Sequence, residues 1–272
     1  APVYHSSKCL TAAVVMAFVD AGKISLDDKV SKYLPIFDNY FKGYITIRQC
    51  LSHTTGIQEA QGIAKVAQRS KFASLEEEVN AFASKREIAD NAGTAFFYSN
   101  IGPNIAARVI EVVSKKSFDR VAQEKIFRPC GMRSTTFYSE KGSVDPADGA
   151  TSTAQDMINF MTMILNKGKI KDKQILSEQS IREMQTFQFP AVPNKFTPKT
   201  MQGFEPGMGL WIEQKDNSGK PSIVSSPGIL SAWPWIDYSR NYVAVVFPAN
   251  GGSEEKRQIV EQIRSEIEKN LK

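Results

Sequence analysis

Lys8 stands in the first turn of a segment in which Leu10, Val14, Ala17, Phe18 and Ala21 recur at helical spacing and Gly22 supplies the stop. A helix N-terminus carries partial positive charge, so a cation is disfavoured there. An ammonium so placed gives up its proton more readily than a free lysine, which suits a proton acceptor. Two later stretches hold groups of matching chemistry. Tyr98 and Asn100 open a second helix from Gly93-Thr94-Ala95-Phe96-Phe97-Tyr98-Ser99-Asn100-Ile101-Gly102, offering a phenol and an amide two residues apart. Ser225-Ser226-Pro227-Gly228 leads into a strand-like run that reaches Ile236-Asp237. Any one of these has a bland explanation: a solvated lysine, a buried aromatic at a helix start, an ordinary turn into a strand.

A lysine at a helix start, then Tyr-x-Asn, then a glycine-ended strand motif, in that order, resembles the serine β-lactamase and penicillin-binding-protein superfamily, and within it the class C β-lactamase and esterase branch. Leu26-Asp27-Asp28, Tyr33-Leu34-Pro35, Leu51-Ser52-His53-Thr54-Thr55-Gly56, Ser152-Thr153-Ala154-Gln155-Asp156 and Gly207-Met208-Gly209-Leu210-Trp211 extend the likeness over essentially the whole chain. The resemblance implies a serine hydrolase that acts on an ester or amide through an acyl-enzyme. A hydroxyl that attacks a carbonyl must lose its proton, so a base within hydrogen-bond reach is needed. By resemblance Lys8 and Tyr98 supply that base, and Asn100 orients the substrate amide or the lysine. Ser226 and Gly228 belong to the third motif. The backbone N–H groups of His5 and Ile229 form the oxyanion hole.

The departure lies at the nucleophile. The family's first motif is Ser-x-x-Lys, and three residues before Lys8 stands His5. Ser6 and Ser7 are two and one residues from Lys8, and side chains so spaced do not share a helical face. This form is therefore expected to be impaired in acyl transfer. The alternative is a catalytically silent relative whose cleft binds a peptide or cell-wall fragment. The third motif also departs, because Ser226-Pro227-Gly228 offers a hydroxyl and no cation. Classical β-lactams, which carry a carboxylate, are poor candidate substrates on that ground.

These groups need a scaffold, and the patterning supplies one. Short helices are expected over 30–34 and 45–52, with capping boxes at Ser74 and Ser152, a strong helix over 100–113, and further starts at Ser117 and Ser177. Residues 189–206 read as a long proline-rich irregular loop near the cleft rim. Strands follow at 210–214, 223–226, 232–237 and 242–247, then an amphipathic helix through Val260, Ile263, Ile267 and Leu271. Helices in the middle and antiparallel strands at the end predict an α+β fold. By resemblance it is a single β-lactamase-like domain over 1–272, with a largely helical part at about 57–190 and sheet-associated parts at 1–56 and 207–272. In that family strands precede the first motif, so N-terminal strands are expected to be missing here, leaving 242–247 as a bare edge.

At 272 residues, with 42% hydrophobic and 23% charged side chains, the composition is that of a globular protein. The net charge of +5 is spread out, and no motif supports nucleic-acid binding. No apolar run reaches the length of a membrane span. Residues 1–4 show no secretory leader; by resemblance, a periplasmic or secreted location after removal of an upstream signal is favoured over a cytoplasmic one. Cys9, Cys50 and Cys130 lack metal-like spacing and are expected as free core thiols, and with two histidines no metal site or cofactor is expected. His53 invites a Ser-His-Asp reading, but no Gly-x-Ser-x-Gly elbow exists and a helix-end structural role fits better. The partner expected is a small-molecule or peptide ester or amide; the oligomeric state is not legible.

Overall fold

The computed structural model describes residues 1–59, 72–138, 144–228, 232–247 and 253–271. Its helices are α1 (Ser7–Asp20), α2 (Ile36–Asn39), α3 (Ile47–Leu51), α4 (Leu75–Lys85), α5 (Ile101–Ser114), α6 (Phe118–Ala122), α7 (Ala154–Leu165), α8 (Glu178–Met184) and α9 (Ser253–Asn270). Three short strands interrupt the helical stretch: β1 (Phe96–Phe97), β2 (Lys169–Ile170) and β3 (Lys173–Gln174). The remainder are β4 (Asn194–Phe196), β5 (Glu205–Pro206), β6 (Trp211–Lys215), β7 (Pro221–Ser225), β8 (Trp233–Asp237) and β9 (Tyr242–Val246). The result is the expected α+β arrangement of helices beside an antiparallel sheet.

α1 is the centre of the molecule. Its apolar stripe suggests one buried face, but Ser7 through Met16 and Phe18 are all buried. The reason is that α5, α6 and α8 pack around it while Val224 and Ile236 of the sheet share its core. Its polar side chains survive burial because each has a partner. Thr11 Oγ1 donates to the Pro146 carbonyl at 2.6 Å, and Ser7 Oγ accepts from the Ala150 N–H at 3.0 Å. Gly22 (φ +65°) ends the helix as predicted, with Gly22 N–H on the Val19 carbonyl and Lys23 N–H on that of Phe18, a left-handed glycine stop.

The sheet runs β5-β6-β7-β8-β9, antiparallel throughout. Alternation sends Val224, Ile236, Val243 and Val245 to the α1 core, and Trp233, Trp235, Tyr242, Ala244 and Val246 to the other face. There they meet Val260, Ile263 and Ile267 of α9. Glu213 and Arg264 tie α9 to the sheet at 2.7 Å, with 5% and 8% of each side chain exposed. Among the described residues β9 pairs with β8 alone and forms the sheet edge.

Capping follows the sequence at some helix starts and departs from it at others; Ser117 stands at the N-cap position of α6 but makes no side-chain cap bond. Ser74 and Ser177 cap α4 and α8 through Glu77 N–H and Ser180 N–H. The cap of α7 is Thr153, one residue after the expected Ser152, because the Ser152 hydroxyl is held by Thr135. Thr46 and Gln49 make a reciprocal capping box on α3 that starts this helix at Ile47. The expected irregular loop at 189–206 carries β4, which pairs in parallel with β1, and a 3₁₀ turn at Lys199–Met201. No described helix is long and apolar enough to cross a membrane. All three cysteines are free and buried.

Candidate active site

The first turn of α1 follows a 3₁₀ turn, Tyr4–Ser6, in which Tyr4 takes a left-handed conformation (φ +43°). The end of the sheet fixes this turn from below. A Cβ on Gly209 (φ +76°) would sit 2.5 Å from the Lys8 carbonyl, and one on Gly228 would sit 2.5 Å from that of Val3. Only glycine allows so close an approach. Ser6 Oγ donates to the Ser226 carbonyl at 2.5 Å. The hydroxyls of Ser6 and Ser7 are both bound within the protein, to the Ser226 carbonyl and the Ala150 N–H.

Lys8, 2% exposed, extends its ammonium between two other segments. Nζ donates to Asn100 Oδ1 at 2.8 Å and to the Ala147 carbonyl at 3.1 Å, and lies 4.8 Å from the centre of the Tyr98 ring. Asn100 occupies the N-cap position of α5 but makes no side-chain cap bond. Its amide oxygen goes to Lys8 instead, and its N–H donates to Glu59 Oε1 at 3.1 Å. A good capping residue is thus diverted from helix stabilisation to the lysine.

Tyr98 is 5% exposed and packed among His53, Trp211 and His5, at ring separations of 4.5, 5.5 and 5.6 Å. Burial, reinforced by the nearby Asp148 carboxylate, pushes its phenol well above the ordinary tyrosine range. The group is a neutral donor rather than a standing phenolate. His53, itself left-handed (φ +57°), accepts the Ser99 N–H on Nδ1 at 3.3 Å and gives its carbonyl to the Phe97 N–H. It holds the Tyr98-Ser99-Asn100 corner. The 189–206 segment grips the same corner from outside, through Phe96 N–H on the Pro193 carbonyl and Tyr98 N–H on that of Phe196.

His5 sits at the position three residues before Lys8. Its Nδ1 is buried, and its Nε2 faces Asp148 Oδ1 at 3.9 Å. Asp148 was not legible in the sequence: it lies in the turn Asp145-Pro146-Ala147-Asp148-Gly149, which reads as loop chemistry. The same turn supplies the Ala147 carbonyl to Lys8. Asp148 Oδ1 is buried with no hydrogen-bond partner among the described residues. Next to the site, a cavity of about 500 Å³ is lined by His53, Thr55, Ile57, Glu59, Phe97 and Lys195 among others.

The structure thus brings together His5, Lys8, Tyr98 and Asn100. Ser226 lies at the same end of the sheet but does not offer its hydroxyl: it is 2% exposed and donates to the Gly209 carbonyl at 3.1 Å. Its carbonyl accepts from Ser6 Oγ and so buttresses the first turn of α1. Gly228 is required for packing on Val3. Ile229 lies outside the described residues. The one Ser-x-x-Lys spacing in the chain, Ser253 to Lys256, falls in α9, which packs on the opposite face of the sheet from α1. Among the described residues no group of three or more His, Cys, Asp or Glu could hold a metal.

Comparison with known proteins gives concordant results. The family model described as Beta-lactamase matches residues 4–267. The D-alanyl-D-alanine-carboxypeptidase/endopeptidase AmpH of Escherichia coli (strain K12) is 24% identical over 247 residues, which are 82% of this chain and 63% of AmpH. The chain therefore spans less than two thirds of that relative. A candidate beta-lactamase from Bacteroides dorei DSM 17855 superposes with a TM-score of 0.82 at 30% identity, covering 93% of this chain and 78% of that one. A penicillin-binding protein from Bacillus halodurans shares the fold, with a TM-score of 0.74 at 18% identity over 96% of this chain and 86% of its own.

Proposed function

Since the chain belongs to the beta-lactamase family, we propose that its cleft is that of a serine-type acyl-transfer hydrolase for a small ester, amide or peptide, with the nucleophile position filled by His5 and acyl transfer impaired as a result. The observation that carries this reading is the Lys8 ammonium held between Asn100 Oδ1 and the Tyr98 ring, one helical turn from position 5. A hydroxyl at position 5 would attack the carbonyl and pass its proton to Lys8. Tyr98, kept protonated by burial, would pass a proton to the leaving group. Asn100 would hold the lysine in register.

A second reading, a silent binding protein, is favoured by a separate observation. The His5 imidazole turns Nε2 toward Asp148 and buries Nδ1, so neither nitrogen is set up as an open nucleophile. Ser6 and Ser7 are committed to the Ser226 carbonyl and the Ala150 N–H. The cleft would then bind a peptide or cell-wall fragment without turning it over. A periplasmic or secreted location belongs to both readings, and fractionation of the native host would test it. Labelling with a fluorophosphonate and with a fluorescent penicillin, read by intact mass, separates the two readings. No adduct on the native chain and an adduct at residue 5 of His5→Ser support the impaired hydrolase. No adduct on either supports the binder.

A further inference from the structure

The turn between α2 and α3 places Tyr40, Phe41 and Tyr44 on the surface with 45%, 89% and 43% of each exposed. None of the three joins the hydrophobic core, and no ring contact links them to one another among the described residues. Single exposed apolar residues need no explanation, but three large aromatics within five residues do.

The turn that carries them is built and braced. Phe41 is left-handed (φ +57°), a conformation that bulky side chains avoid. Phe41 N–H bonds the Asp38 carbonyl, and Lys42 N–H that of Phe37 at 2.8 Å. Lys42 is buried and donates Nζ to the Ala83 carbonyl at 2.6 Å, which fastens the turn to the end of α4. A Cβ on Gly43 would collide with the Asp38 carboxylate, and Ser31 Oγ donates to the Gly43 carbonyl. Backbone strain held by such bracing points to a use for the residue so presented.

The geometry points to an anionic lipid surface as what this turn meets, with Phe41 as the inserted tip and Tyr40 and Tyr44 at the headgroup level. Three observations favour a bilayer. The depth order is right, with an apolar ring at the apex and two rings with polar ends at its base. The flanking elements add cations: Lys29 bridges Thr46, two residues after Tyr44, Lys32 follows it in the chain, and Lys85 ends α4 two residues beyond Ala83, to which Lys42 is anchored. Lys29 and Lys85 hold no ion pair among the described residues, whereas Lys32 pairs with Asp28, and Asp38 is the carboxylate within the turn itself. Lastly, a five-residue turn falls far short of the ~800 Å² per partner that a stable protein interface buries, but suits a deformable interface.

The test is co-sedimentation of the whole chain with vesicles of phosphatidylcholine alone, and with vesicles of phosphatidylcholine and phosphatidylglycerol in equal parts. Binding is expected only to the anionic vesicles and should weaken in high salt. Phe41→Asn keeps a residue that tolerates the left-handed backbone, so the fold and melting temperature should be unchanged while binding falls about tenfold. Lys29→Glu with Lys85→Glu should lower it further. No vesicle binding at low salt, equal binding by Phe41→Asn, or Phe41-dependent sedimentation with insoluble peptidoglycan in place of vesicles would each overturn the assignment.

Discussion

The Lys8 ammonium lies 2.8 Å from Asn100 Oδ1, a contact that joins the first helix to a helix that starts 92 residues later. It is buried, and both partners give up an alternative for it: the lysine gives up solvent, the asparagine its cap. Removing one side leaves the other unsatisfied in a buried site. Lys8→Met should therefore lower unfolding stability by about 1–3 kcal/mol, the cost of stranding Asn100 Oδ1 and the Ala147 carbonyl. Urea unfolding measures it; an unchanged midpoint would show that water replaces the ammonium without loss.

The contact of Gly209 with the first turn of α1 can be tested against a neutral control. Gly209→Ala introduces a Cβ at 2.5 Å from the Lys8 carbonyl on a backbone with φ +76°. Gly219→Ala has a similar φ of +80° with nothing nearby. Both carry the conformational cost of about 1–2 kcal/mol, so the extra loss at Gly209 reports the steric term. Equal losses in urea unfolding would mean that the strand end does not fix the position of Lys8.

Alkaline pH should destabilise the fold. Burial pushes the thiols of Cys9 and Cys130 up to about 12, the Tyr238 phenol to about 12, and the Tyr98 phenol well above its ordinary range. In the unfolded chain these groups ionise at about 8.5 for the thiols and 10 for the phenols. Their folded values are raised, so the stability is full below the unfolded values and is lost as pH climbs toward the folded ones. Unfolding free energy should fall between pH 9 and 12, and Tyr98→Phe should make the fall shallower. In the native protein at pH 8 the thiols should resist a disulfide reagent, and all three cysteines of the chain should react on unfolding. Fewer than three would indicate a disulfide.

Glu213 and Arg264 form the buried tie between β6 and α9. Glu213→Ala leaves the guanidinium without its carboxylate against the Trp235 ring, 5.3 Å away. A loss of about 3–5 kcal/mol is expected, as for other buried pairs broken on one side. A loss below about 1 kcal/mol in thermal or urea unfolding would mean that the arginine re-pairs or reaches water.

Much of this molecule was legible before its structure, for identifiable reasons. The helices over Ile101–Ser114 and Ala154–Leu165 carry a 3.6-residue stripe, and Ser74 and Ser177 cap as their types suggest. The convergence of Lys8, Tyr98 and Asn100 came from motif order, not from periodicity. Burial on every side of α1 was hidden, because Ser6, Ser7 and Thr11 look solvent-seeking until their partners at Ser226, Ala150 and Pro146 are in place. Asp148 was hidden because a carboxylate in an Asp-Pro-Ala-Asp-Gly turn has an ordinary role available. The pairing of β1 with β4 joins segments of two and three residues, too short for any alternation to show.

The central claim is that His5 at the nucleophile position is what impairs acyl transfer at this site. The most direct measurement is intact-mass analysis of the native chain and of His5→Ser after exposure to a fluorophosphonate, with the adduct mapped by peptide sequencing. The expected result is no adduct on the native chain, an adduct at position 5 of His5→Ser, and loss of that adduct when Lys8→Ala is added. Robust labelling of the native chain at Ser6 or Ser7, or a folded His5→Ser protein that takes no label, would contradict it.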